Sequence, residues 1–177
     1  MEDTDRLSFV YQGWDGYQLS LAKAIETLTP EQLAFRACPE MLSVGELAWN
    51  IADGRVFWFR RMGVPGGDEL MQEIEDRQTS QGDVMEASLI VAWLEKTWEF
   101  VNETLSRWKT SDLTETYRQA YQGKVYAVTR QWTIWRILSH DAHHGGQLSE
   151  LLAMQGIFPL ELTQLGGHLT EPEVVEG

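Results

Sequence analysis

Four segments of this chain repeat their apolar residues at three- and four-residue steps, the period that lays an apolar stripe along one face of an α-helix and demands a second surface to cover it. In the first, Leu7, Val10, Tyr11, Trp14, Tyr17, Leu21, Ile25 and Leu28 keep step until "TPEQL" opens a turn on proline. The second begins at Ser43, whose spacing from Glu46 is that of a capping box, and carries Leu47, Ile51, Gly54, Trp58 and Met62 to the stop "GVPGG". The third covers residues 83–108, with Ala87, Ile90, Val91, Leu94, Trp98, Val101 and Leu105 in register. Thr129 caps the fourth, a long helix that ends at Gly156. No strand alternates with these segments and no long repeat links them, so the pattern predicts an all-α, antiparallel four-helix bundle.

The bundle is expected over residues 1–160, followed by a tail over 161–177 in which "IFPLEL", straddling the boundary, is the stretch suited to packing. Between the second and third segments lies a long, polar, glycine-bearing crossover from Gly63 to Gly82, with a short helical piece at "DELMQEIED". "YRQAYQGKVYAVTR" sets aromatic and β-branched residues around a glycine, a composition that suits extended chain.

At 177 residues and 43% apolar the chain has the length of one domain with a real core. Its 27 acidic against 14 basic residues give a formal charge of −13, which repels phosphate backbones and anionic lipid, so nucleic acid and membrane surfaces are excluded as partners. No run of about 20 apolar residues and no signal-peptide pattern occurs. Cys38 stands alone and forms no internal disulfide, which fits a reducing compartment; the cytoplasm is the expected location. Eight tryptophans favour helix contacts, pocket walls and a subunit interface, and a homodimer is expected.

The chemistry is concentrated in "SHDAHHGGQLSELLAMQG", where three of the four histidines fall within residues 140–144. On a helix His140 and His144 stand one turn and about 40° apart, so both imidazoles can converge on one point, as in paired-histidine metal sites. Gln147 and Leu151 share that face, whereas His143 lies about 60° to the other side of His140 and reads as a supporting donor or a rim residue. The glycines at 145 and 146 cost helix stability, which suits a close approach by a partner helix or a ligand.

The segment "WTIWRILSHDAHHGGQLSELLAMQGI", together with "LTPEQLAFRACPEMLSVGELAWNIADGRVFWF", resembles the DinB/YfiT-like family of metalloenzymes, and the order of motifs covers most of residues 9–157. The resemblance implies an up-down-down-up four-helix bundle, often dimeric, with zinc or nickel held by three histidines, two from the last helix and one from the second. His140 and His144 match the last-helix pair. At the third position this chain carries Asn50, a neutral amide that binds such metals weakly beside imidazole. Asp53 and Glu46, one turn either side of Asn50, and the more remote His168 are the alternatives for the third donor.

Two function classes follow. A divalent metal with open positions would activate water or a small thiol, and the resemblance implies a thiol S-transferase, with hydrolysis as the other chemistry open to the site, acting on a small-molecule substrate. Without metal, the same bundle is a small-molecule-binding or dimeric interaction protein. Other residues read more simply: Cys38 needs a neighbouring base to become nucleophilic, and Trp49, Trp58, Trp132 and Trp135 fall at helical spacing that favours packing.

Overall fold

A computed structural model describes residues 4–80, 84–170 and 174–175, with the backbone alone at 160, 163 and 168. The chain is mostly helical. Its long elements are α2 (Gln12–Ile25), α4 (Val44–Arg61), α6 (Ala87–Arg107) and α7 (Arg130–Ala153), and they coincide with the four periodic segments. The remaining helices are α1 (Leu7–Val10), α3 (Pro30–Ala34), α5 (Gly67–Ser80), which is as long as α2, and α8 (Leu160–Thr163). Helix α4 packs against both α6 and α7, while α2 packs against α6 and α8.

Local chemistry sets the boundaries. Ser43 accepts from the Glu46 amide at 3.2 Å and Glu46 Oε2 accepts from the Ser43 amide at 2.7 Å, closing the capping box that starts α4. Thr29 and Gln32 form the same box at α3, with Pro30 at the first helical position. Thr129 caps α7 by accepting from the Trp132 amide at 3.1 Å. The stripes these helices present, including Leu21, Ile25, Ile51, Phe59, Leu94, Val101, Ile134, Ile137 and Leu148, interdigitate as one fully buried core.

Three expectations are amended. The first segment is broken at Tyr11, which leaves helical geometry at φ −110° and ψ 27°, into α1 and α2; Leu7 N–H donates to Trp108 O at 3.0 Å and ties the start of α1 to the end of α6. The crossover holds a 14-residue helix, α5, which buries Leu70 and Ile74 against Val56 of α4; its acidic surface conceals a narrow apolar stripe. The all-α expectation gives way to a small antiparallel hairpin, β1 (Thr116–Tyr121) and β2 (Lys124–Thr129), joined through Gln122 and Gly123, both at positive φ. That two-residue turn with left-handed backbone is the geometry that matches strand twist.

Beyond α7, Leu162 of α8 is buried, and the turn at Gly166 lies against the backbone of Gly16. A β-carbon at Gly16 would fall 2.8 Å from Gly166 O, so this close approach requires glycine. Among the described residues no helix is long and apolar enough to cross a membrane.

Candidate functional site

Two oppositely charged residues occupy core positions on facing helices. Arg55 follows Ile51 and precedes Phe59 on the inner stripe of α4, and Asp141 follows Ile137 on that of α7; both are 0% exposed. Arg55 Nε donates to Asp141 Oδ2 at 2.8 Å, and Trp14 Nε1 from α2 donates to the same oxygen at 3.0 Å. Arg55 Nη1 donates to buried Gln18 Oε1, and the guanidinium lies 5.5 Å from the Trp98 ring centroid of α6. Tyr17 donates its hydroxyl to the Asp141 backbone carbonyl at 2.7 Å, directly over Gly145, where any β-carbon would collide with it. Burial, with the nearby Asp141 charge, drives the Tyr17 pKa well above the ordinary phenol value, so it is a neutral donor here. Four helices are thus keyed to one another by a single buried polar network.

The histidines sit directly above it. His140 lies against the backbone of Gly54 on α4, where an added β-carbon would come within 2.6 Å of its Cε1. Its Nδ1 is buried without a hydrogen bond, 3.7 Å from Asp141 Oδ1, which is likewise unpartnered. The His144 ring stands edge-on to His140 with centroids 4.5 Å apart, and its Nδ1 is 2.8 Å from Gln147 Oε1. Burial lowers the His144 pKa below its ordinary value; the Gln147 hydrogen bond opposes the shift, and the flanking His140 and His143 add to it. His143 is exposed, its ring 5.0 Å from that of His144.

A cleft of about 380 Å³ opens beside His140 between α4, α5 and α7, at the small end of the range for ligand pockets. Phe57, Trp58, Met71 and Ile74 supply its apolar walls, and Asn50, Gln78 and His140 its polar ones. Asp53 also lines it, but its carboxylate is committed: Arg77 Nη2 donates to Oδ2 at 2.5 Å and Trp93 Nε1 to Oδ1 at 2.8 Å.

The structure therefore brings Asn50, Asp53 and His140 to one cleft, with His144 in ring contact behind His140. Glu46 is held elsewhere: burial raises its pKa, but the Ser43 amide and Arg36, whose Nη2 donates at 3.0 Å, outweigh that and keep it ionised. The side chain of His168 lies outside the described residues. Cys38 is exposed in the loop before α4. His140 and Asn50 are consequently the candidate donors that line the cleft, with His144 in ring contact with His140, and among the described residues no three His, Cys, Asp or Glu side chains converge as a metal set. That set does not fit the tetrahedral or three-imidazole shells in which zinc and nickel are firmly held.

Sequence reasoning missed Asp141 and Arg55, the residues that carry the site. A signal was present: a lone charge at a core position in each of two helices, opposite in sign, reads as a buried ion pair.

A helical protein keyed by a buried ion pair, with a histidine-lined cleft between its second and last long helices, defines the class. The DinB superfamily family model matches residues 18–148, and the chain belongs to that superfamily. It is also similar in fold to a DinB-like protein from Bacillus cereus ATCC 10987, known from a crystal structure: the TM-score is 0.67 at 20% identity, over 88% of this chain and 96% of that one. No curated protein matches the chain.

Proposed function

We propose that this chain is a small-molecule-binding protein of the DinB superfamily whose ligand occupies the α4–α5–α7 cleft, and that α2, α4, α6 and α7 form the superfamily's up-down-down-up bundle around the Arg55–Asp141 pair. The observation that carries this reading is the donor set. Asn50 occupies the position at which the resemblance implies a third imidazole, and both neighbouring carboxylates are taken up by arginine and tryptophan partners. What remains facing the cleft is a pair of amides and an imidazole on an aromatic wall, groups that hydrogen-bond and stack with an organic ligand.

A second reading, a metal-dependent thiol transferase or hydrolase using zinc or nickel at His140, His144 and Asn50, is favoured by the His140–His144 contact and by the burial that keeps His144 neutral. It requires the amide to serve as the third ligand.

Zinc and nickel titrations by calorimetry on wild type, Asn50→His and His144→Ala distinguish the two. The binding-protein reading expects weak wild-type binding and a gain of at least about tenfold in Asn50→His, since imidazole is the better donor. Tight one-to-one binding by wild type that is lost in His144→Ala overturns it and establishes the metal site.

A further inference from the structure

We infer that the α4–α5–α7 cleft selects a small organic anion, one with an apolar body and a carboxylate, sulfonate or similar group, held at its rim by Arg61 and Arg136. The inference rests on the cleft being the ligand site. Two guanidiniums share the Trp58 ring of its wall: Arg61 Cζ lies 4.0 Å from the Phe57 ring centroid and 5.1 Å from that of Trp58, and Arg136 Cζ lies 5.7 Å from Trp58 and 5.9 Å from Trp132. Phe57 and Trp58 are walls of the cleft, and Arg136 sits one helical turn before His140.

These two arginines differ from the basic residues around them. On α4, α5 and α6, Arg60 pairs with Asp68, Arg77 with Asp53, Lys96 with Glu73 and Arg55 with Asp141. Among the described residues Arg61 and Arg136 have aromatic rings as neighbours and no carboxylate within ion-pair distance. In a chain of formal charge −13, two unneutralised cations on one rim are the place where an anion is attracted rather than repelled. Cation–π contacts, of Arg61 with Phe57 and Trp58 and of Arg136 with Trp58 and Trp132, favour these positions while leaving the N–H groups for a ligand, a geometry suited to planar anions. The one carboxylate in the wall, Asp53, is neutralised by Arg77 and does not oppose this.

The test uses a matched pair of fluorescent probes, 8-anilinonaphthalene-1-sulfonate and its uncharged parent N-phenyl-1-naphthylamine, which differ in the sulfonate. The sulfonate is expected to bind one per chain and more tightly than the neutral probe, and its affinity should fall with added salt. Arg61→Gln and Arg136→Gln should each weaken the sulfonate by about fivefold and leave the neutral probe unchanged, the loss typical of one partly exposed charge-assisted contact. Asn50→Trp, which places an indole in the cleft from an exposed position, should displace both probes. Equal affinity for the two probes, no salt dependence and no effect of the glutamine variants would overturn anion selection while leaving the cleft a ligand site. Binding of both probes undisturbed by Asn50→Trp would instead overturn the cleft reading.

Discussion

Replacing Asp141 by alanine should be among the most damaging single changes to this fold. The substitution removes the acceptor of both Arg55 Nε and Trp14 Nε1, and Arg55, 0% exposed, is left as a buried charge with no counter-charge. Breaking a buried pair in this one-sided way costs about 3–5 kcal/mol, and an orphaned indole N–H adds about 1 kcal/mol or more. A total near 4–6 kcal/mol is a large part of the roughly 5–15 kcal/mol by which domains of this kind are stable. Urea unfolding followed by far-ultraviolet circular dichroism measures it directly, as a lowered midpoint at unchanged slope. The double variant Arg55→Met, Asp141→Leu should recover much of the loss, since matched apolar groups remove both charges together; Gln18 loses its donor, so recovery is incomplete. A cost below about 1 kcal/mol for Asp141→Ala, or strict additivity of the two single substitutions, would refute the buried pair as the key of the helical core.

Three further outcomes follow. Gly145→Ala should destabilise by about 2 kcal/mol or more, because its methyl displaces the Tyr17 hydroxyl from the Asp141 carbonyl, and Tyr17→Phe in the same chain should relieve part of the clash. His144 has a folded pKa below its ordinary 6.5, so the unfolded chain takes up the proton first; its contribution to stability is complete above about pH 6.5 and declines as pH falls toward the lowered value, and His144→Gln should flatten that slope in urea midpoints measured across the range. Trp135, 65% exposed on α7 beside the 46% exposed Trp132, supports a homodimer: sedimentation should show twice the 20.3 kDa chain mass, and Trp135→Glu should return the monomer.

The helices were legible in the sequence wherever a periodic stripe met a cap, as at Ser43 and Thr129, because both signals are local. Helix α5 reads in the sequence as only a short helical piece, because only Gly67, Leu70 and Ile74 of its fourteen residues are buried, too few for a clear stripe. The break at Tyr11 interrupts an apolar period that continues through it, so no local pattern records it, and the bond that ties Leu7 to Trp108 spans more than a hundred residues. His140 could be singled out by residue type and spacing, and Asn50 by the family resemblance alone. The commitment of Asp53 to Arg77 and Trp93, and of Glu46 to Arg36, depends on α5, α6 and the loop before α4 coming together, so the choice among third donors could not be made before the fold was known. Asp141 shows the opposite case: it lies inside the histidine cluster, and its burial was written in its register with Ile134 and Ile137, but the histidines around it drew the chemical reading.

The central claim is that the cleft beside His140 binds a small molecule with its own side chains and without a firmly held metal. Elemental analysis of the untagged protein, purified without chelators, tests it most directly. Zinc and nickel should each be well below one atom per chain, with His144→Ala no different from wild type. One atom of either metal per chain, lost in His144→Ala, would contradict it.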